Sequence, residues 1–245
     1  MKIQKKLGLI GKDISYSFSK KYFEDKFKKL MKDNYSYSVF DISEIAKIHD
    51  IFLLNDLKGL NVTIPYKEAI IPYLDRLSEE ARNIGAVNTI KIINGEKIGY
   101  NTDAFGFEKC LKIFLQPHHQ SAIILGDGGA AKAVQYVFKQ NNIPFLIASR
   151  KTGLPLEELT KEIVSQNKII VQCTPVGTFP NIDQCIDFPF DGLCNQHLLI
   201  DLIYNPSMTK FLKAGQEKGA KTINGLLMLE QQAEKAWEIW ENDEN

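Results

Sequence analysis

A chain of 245 residues, 44% of them hydrophobic and 24% charged, has the profile of a soluble globular protein with room for one large domain or two small ones. Its 30 basic residues balance 30 acidic ones, which removes the electrostatic case for nucleic acid or an anionic membrane as a partner. No apolar run reaches the roughly 20 residues of a membrane-spanning helix, and the apolar run in the basic start, Met1 to Ile10, is too short for a signal peptide.

Lys6 to Gly11 reads as a short buried strand, and Phe23, Phe27 and Leu30 give Lys20 to Leu30 the apolar face of a helix. The loop between them, Ser15-Tyr16-Ser17-Phe18-Ser19, is crowded with hydroxyls, and serines in such a place ordinarily cap helices. Tyr35 to Phe40 alternates as a strand, and Ser43 is expected to cap a helix to Leu54. Leu60, Val62 and Ile64 make a strand that Pro65 ends. Lys67 then stands just past a strand end, where α/β proteins place functional groups, although a lone lysine is ordinarily a solvated charge. Helical patterns follow through Ile70, Ile71 and Leu74 and through Ala81 to Ile84. Gly85 to Ile93 reads as a strand with Asn88 inside it, Asn94-Gly95 as a hairpin turn, and Lys97 to Tyr100 as the returning strand. Thr102 or Asp103 is placed to cap the next helix, which runs to about Leu115. Gln116 to Gln120, with His118-His119, has the polarity of a solvated linker rather than of a metal site.

Ile123 to Leu125 runs straight into Gly126-Asp127-Gly128-Gly129-Ala130-Ala131-Lys132-Ala133, and Val134, Val137 and Phe138 continue as a helix. Strand, glycine turn and helix in this order form a variant of the dinucleotide-binding fingerprint. The glycines permit a tight turn and close approach of a pyrophosphate, which the helix start attracts. A tight strand-to-helix turn needs glycine for purely structural reasons too. Phe145 to Ala148 is the second strand, and its end decides the cofactor. An acid there suits NAD, whereas Ser149-Arg150-Lys151, with no acid until Glu157, suits the 2′-phosphate of NADP. Asp127 is unfavourable beside a pyrophosphate unless it points to water. It does not argue for NAD, because it lies in the first turn and not at the second strand's end. Leu156 to Ser165 reads as a helix, Lys168 to Cys173 as a strand running into Thr174-Pro175-Val176-Gly177, and His197 to Ile203 as another buried strand. A helix from Thr209 to Lys218 follows, and the last helix shows an apolar face of Leu229, Ala233, Ala236, Trp237 and Trp240. Cys110, Cys173, Cys185 and Cys194 show no C-x-x-C spacing, so reduced thiols in a cytoplasmic protein without a metal are expected.

Taken together, Ser17-Phe18-Ser19, Asn61-Val62-Thr63-Ile64-Pro65-Tyr66-Lys67, Gly85-Ala86-Val87-Asn88-Thr89, Gly99-Tyr100-Asn101-Thr102-Asp103 and the glycine turn, in that order, resemble shikimate dehydrogenase over nearly the whole chain. The resemblance implies NADP-dependent, reversible reduction of 3-dehydroshikimate to shikimate, a step toward chorismate and the aromatic amino acids. It implies a catalytic pair in Lys67 and Asp103, with Ser17, Ser19, Thr63 and Asn88 holding the substrate. It adds Tyr204 near the substrate carboxylate and Gln232 at the substrate, the latter from a closing motif shared by Gly225-Leu226-Leu227-Met228-Leu229-Glu230-Gln231-Gln232. Gly126, Asp127, Gly128, Gly129, Ala130, Ser149, Arg150, Lys151, Thr174 and Gly225 fall to the cofactor, Gly225 near the nicotinamide.

The implied fold is α/β and two-lobed. Residues 1–101 plus 225–245 form a substrate domain, residues 102–224 form a Rossmann-type NADP domain with a cleft between the two, and both sheets are largely parallel. A small-molecule substrate and a monomer or homodimer are expected. Three departures stand out. The family's histidine-serine-x-serine-proline is here Tyr16-Ser17-Phe18-Ser19-Lys20, its asparagine-arginine-threonine is Ser149-Arg150-Lys151, and its usual alanine is Asp127. The alternatives are an NAD-using quinate/shikimate dehydrogenase, the related methylenetetrahydrofolate dehydrogenase architecture, whose motifs are not seen, and a non-catalytic sensor. Retention of Lys67 and Asp103 argues against the sensor.

Overall fold

The computed structural model describes residues 3–14 and 17–242. The chain is mixed α/β and forms two compact units, one holding the chain up to Thr102 together with the segment from Ala233 onward, the other Asp103–Gln232.

The first unit contains β1 (Lys5–Gly11), α1 (Phe18–Lys29), β2 (Tyr35–Asp41), α2 (Ile48–Phe52), β3 (Leu57–Val62), β4 (Arg76–Leu77), α3 (Glu79–Ile84), β5 (Thr89–Ile93) and β6 (Glu96–Tyr100). Among the described residues its sheet has the order β2-β1-β3-β5-β6-β4. β1 pairs in parallel with β2 and β3, but β5 runs antiparallel to β3 and β6. The sheet is therefore mixed, where a largely parallel one was expected. The cause is local: Asn94 (φ 52°) and Gly95 (φ 82°) both take the left-handed conformation of a two-residue hairpin, which folds β6 straight back. α3 carries its own boundaries. Ser78 Oγ accepts from Ala81 N–H at 3.1 Å, Glu79 and Glu80 lie in the first turn, and Gly85 closes the helix at φ 72°.

Two readings of this unit need correction. The helix expected from Ser43 to Leu54 is a 3₁₀ turn over Ile45–Lys47 followed by α2, with Glu44 in the cap position, because the Ser43 hydroxyl instead accepts from Lys47 Nζ at 3.0 Å. Asn88 sits just before β5 rather than inside it. Its carbonyl still accepts from Val62 N–H in the register of β3, but its N–H goes to the carbonyl of Tyr100, the residue the ladder pairs with Thr89, so Asn88 is out of register with β6.

The strand period splits the core of this unit. Leu7 and Leu9 face one cluster and Ile10 faces the other, with Leu60, Val62 and Ile90. The first cluster includes Phe23 and Phe27, one turn apart on α1, with Tyr37 stacked on Phe23 at 4.8 Å between ring centroids. Ala233, Ala236, Trp237 and Trp240 complete it. Fully burying side chains of this size stabilises by about 1.5–3 kcal/mol each. Trp240 Nε1 donates to the Ile90 carbonyl at 2.9 Å, and a Cβ on Gly59 would stand 2.2 Å from that nitrogen, so only glycine admits the indole there.

The second unit contains α4 (Asp103–Phe114), β7 (Ala122–Leu125), α5 (Gly129–Gln140), β8 (Phe145–Ala148), α6 (Lys161–Gln166), β9 (Ile169–Gln172), β10 (Leu198–Asp201), α7 (Lys210–Glu217), β11 (Lys221–Ile223) and the first part of α8 (Leu226–Glu241). Among the described residues its sheet, β11-β10-β9-β7-β8, is parallel throughout, as in a Rossmann-type domain. The central strands are apolar runs because helices cover both faces of such sheets. Ile123, Ile124, Ile170, Val171, Leu198 and Leu199 are all fully buried. Growth of the sheet changes direction between β7 and β9, and ligands of open α/β sheets bind at the carboxyl ends of the strands at such a point.

The helix expected over Leu156 to Ser165 is interrupted. A 3₁₀ turn covers Leu156–Glu158, and Thr160 Oγ1 then accepts from Ile163 N–H at 3.3 Å and starts α6 anew. His119 is buried, not solvated, and its ring accepts from Gln116 N–H at 2.9 Å. Among the described residues no helix is long and apolar enough to cross a membrane, and no three His, Cys, Asp or Glu side chains are grouped to hold a metal.

Candidate active site

In the second unit the carboxyl ends of β7, β8 and β9 each carry candidate residues. Gly126 follows β7 with φ 108°, which L side chains rarely adopt, and a Cβ there would stand 3.0 Å from Thr174 Cγ2 in the loop after β9. Gly128 stands before α5 and offers no side-chain cap. A Cβ on it would meet nothing within 4 Å, so the helix start opens onto free space. The first N–H groups of a helix have no partner within it, and the first turn of α5 carries no acidic residue. Gly129, Ala130 and this turn therefore suit an anion.

Beyond β8, Ser149 is buried and its Oγ accepts from the N–H groups of Lys151 at 3.1 Å and Thr152 at 2.9 Å, which closes the turn. Arg150 and Lys151 are exposed and form no ion pair with a described residue. Two uncommitted cations beside an open helix start fit a dinucleotide that carries an extra phosphate. Asp127 is not where its place in the chain suggests. Its Oδ2 accepts from Ser149 Oγ at 3.0 Å and from Thr152 Oγ1 at 3.2 Å, so the carboxylate lies against the turn after β8. Thr152 was not anticipated from the sequence.

The substrate candidates of the first unit sit around the ends of β1, β3 and β6. Ser17 occupies the cap position of α1 in an extended conformation but makes no cap bond, and its buried Oγ has no hydrogen-bond partner among the described residues. The plain cap reading of Ser17 is thus wrong. Ser19 bonds the Tyr37 hydroxyl, whose pKa burial pushes up and this bond pulls back. Thr63 packs on Gly11, where a Cβ would stand 2.5 Å from Thr63 Cγ2. The Lys67 carbonyl accepts from Val87 N–H at 2.7 Å, which ties the Lys67 segment to the one carrying Asn88. Asn88 is buried. Its Oδ1 accepts from Thr102 N–H at 2.7 Å and its Nδ2 donates to Thr102 Oγ1 at 3.0 Å.

These bonds belong to a buried chain the sequence reading missed. Tyr37 donates to Asn61 Oδ1 at 2.7 Å, Asn61 Nδ2 donates to Thr89 Oγ1 at 3.3 Å, and Thr89 Oγ1 donates to Asn88 Oδ1 at 3.2 Å. The available signal was Asn61, a polar residue between the apolar Leu60 and Val62. A buried amide needs partners.

In the second unit Asp103 is the first residue of α4 and is buried. Gln232 is buried as well, and its Nε2 donates to the Leu229 carbonyl at 3.0 Å. Tyr204 is half-buried in the loop after β10. Gly225 donates to the Ile203 carbonyl at 2.9 Å, and a Cβ on it would stand 2.1 Å from the Leu202 carbonyl oxygen, so no other residue fits.

Asp201, at the end of β10, is fully buried. It accepts from Thr209 Oγ1 at 2.6 Å and Ile203 N–H at 3.0 Å. Burial pushes its carboxyl up from 3.8 to about 6 against the pull of those two bonds. The folded state thus holds a proton that the unfolded chain has released, so stability falls as pH rises from about 4 to about 6, by roughly 3 kcal/mol at most. Thermal unfolding from pH 4 to 7.5 should show this slope in the parent and lose it in Asp201→Asn. Equal slopes in both proteins would assign the pH dependence to other groups.

A family model described as the shikimate dehydrogenase substrate binding domain matches residues 9–90. Shikimate dehydrogenase (NADP(+)) of Desulforamulus reducens is 37% identical over 259 residues, covering 95% of this chain and 88% of that protein. Among solved structures, shikimate dehydrogenase from Aquifex aeolicus matches with a TM-score of 0.87 at 33% identity, over 99% of this chain and 94% of that one. Shikimate 5-dehydrogenase from Thermus thermophilus, solved with NADP(H) and shikimate, matches with a TM-score of 0.86 at 29% identity, over 97% of this chain and 94% of that one.

Proposed function

The chain belongs to the shikimate dehydrogenase family, and from that premise we propose which of its residues carry the NADP-dependent, reversible reduction of 3-dehydroshikimate to shikimate, on the route to chorismate and the aromatic amino acids. The observation that carries the reading is the near-full-length relationship to an enzyme named for NADP(+).

NADPH, when bound, supplies the hydride that reduces the carbonyl carbon. Lys67 hydrogen-bonds the carbonyl oxygen through its ammonium, stabilises the charge that builds there and delivers the proton; in reverse, its neutral amine takes the proton back. Asp103 orients Lys67 and the reacting hydroxyl. Ser17 and Ser19 bind the substrate carboxylate with Tyr204 nearby, and Thr63, Asn88 and Gln232 bind its hydroxyl side. Gly126, Gly128, Gly129, Ala130 and Thr174 border the pyrophosphate, Asp127, Ser149, Arg150 and Lys151 the end that carries the 2′-phosphate, and Gly225 the nicotinamide. Residues 1–101 with 225–245 act as the substrate domain and residues 102–224 as the cofactor domain. The protein works in the cytoplasm on a small molecule, as a monomer or homodimer.

Mixing the protein with shikimate and NADP and following NADPH absorbance tests the reading, and repeating the assay with NAD and with quinate tests its specificity. No turnover with shikimate and either cofactor would overturn it. Ser17 gives a sharper check. Because its hydroxyl caps nothing, Ser17→Ala should not cost the roughly 1 kcal/mol of a lost cap. It should weaken shikimate binding about tenfold, since a carboxylate loses a hydrogen bond, and leave NADP binding unchanged. A lowered melting temperature with unchanged shikimate affinity would return Ser17 to a structural role.

A further inference from the structure

We propose that Asp127 is a second determinant of cofactor choice that opposes Arg150, so that this enzyme separates NADP from NAD less sharply than its basic turn alone would. The proposal rests on the dinucleotide reading of the second unit. In dinucleotide-binding folds an acid at the end of the second strand accepts a hydrogen bond from the ribose 2′-hydroxyl and repels a 2′-phosphate. This chain has no acid at that point of its sequence, since Ser149-Arg150-Lys151 stands there. The fold delivers one from the neighbouring strand. Asp127 follows β7, yet its Oδ2 is held by Ser149 Oγ at 3.0 Å and Thr152 Oγ1 at 3.2 Å, both in the turn after β8. A carboxylate carried by the first turn thus stands at the second strand's end.

The division of its two oxygens gives the argument its direction. Oδ2 is committed to the turn, whereas Oδ1 makes no hydrogen bond with a described residue. A carboxylate oxygen can accept from a ribose hydroxyl but has nothing to donate to a phosphate. Arg150 and Lys151 are exposed and form no ion pair with a described residue, so they attract the same phosphate that Asp127 repels. The two departures from the family pattern, Asp127 and Ser149, also bond each other. The aspartate both braces the basic turn and offsets part of its charge.

Isothermal titration of the protein without substrate, using adenosine 2′,5′-bisphosphate, NADP and NAD in turn, separates bracing from charge. Asp127→Asn keeps an oxygen for Ser149 and Thr152 and removes the charge. It should bind the bisphosphate and NADP roughly three- to tenfold more tightly and NAD no more tightly than the parent, as expected for removing one partly screened like charge. Asp127→Ala removes both functions and should loosen the turn, with a lower melting temperature of the ligand-free protein. An unchanged NADP-to-NAD affinity ratio in Asp127→Asn would overturn the proposal and leave Asp127 a brace only. A parent protein that binds none of the three nucleotides would overturn the dinucleotide reading itself, and this proposal with it.

Discussion

Replacing Lys67 with alanine should lower kcat by roughly 10²–10⁴-fold, the range for a positioned acid–base group, while shikimate still binds. Carbonyl reduction needs a proton at oxygen as well as a hydride at carbon, and the nicotinamide ring has no such proton to give. The protein must supply it, and Lys67 stands just beyond β3 on a segment tied by backbone to the one carrying Asn88. Most of the groups proposed to grip shikimate lie elsewhere, so KM should change far less than kcat. Asp103→Asn introduced into Lys67→Ala should cost much less than the same change in the parent, because the two residues serve one task and their losses do not add. Steady-state kinetics of the four proteins give the cycle. Near-parental turnover in Lys67→Ala would make Lys67 an ordinary surface lysine.

Arg150→Ala should raise KM for NADP by about 10- to 100-fold and leave KM for NAD nearly unchanged. A hydrogen bond to a charged group is worth about 1.5–3 kcal/mol, and only NADP carries the phosphate that Arg150 meets. The loss should shrink at high salt, since the guanidinium is exposed and its attraction is screened. Equal effects on the two cofactors would show that Arg150 does not touch the 2′-phosphate.

Much of this was legible in the sequence because the informative residues act locally. Asn94-Gly95 specifies a hairpin through its own dihedral angles, Ser78 and Gly85 mark both ends of α3, and the run from Ile123 into Gly126 and Gly128 announces strand, turn and helix. The parts that failed depend on partners distant in the chain. Tyr37 and Asn61 are 24 residues apart, and Asn61 and Thr89 are 28 apart, so no window of sequence contains the buried chain that positions Asn88. The role of Asp127 turns on Thr152, 25 residues later, and a reading that placed its carboxylate by chain position put it at the wrong strand end. β11 spans only Lys221–Ile223, too short to show a period. The burial of Gln232 does not follow from helical spacing, which reports an angle around the axis and not what packs there. On α4, Gly106 comes close enough that a Cβ would stand 3.2 Å from the Gln232 Cβ.

The closing of the first sheet by Ala233, Ala236, Trp237 and Trp240 sets an order of assembly. Translation makes the strands of that sheet first and the residues that cover Leu7, Phe23 and Tyr37 last. The whole of Asp103–Gln232 is synthesised in between, which at about 5–20 residues per second takes on the order of ten seconds. Through that interval α1 alone covers that apolar face, beside an open slot at Gly59, a condition that invites chaperone binding or premature association. The interrupting unit is one continuous segment and is spared this wait. The half of the protein that leaves the ribosome second is thus free to finish folding first.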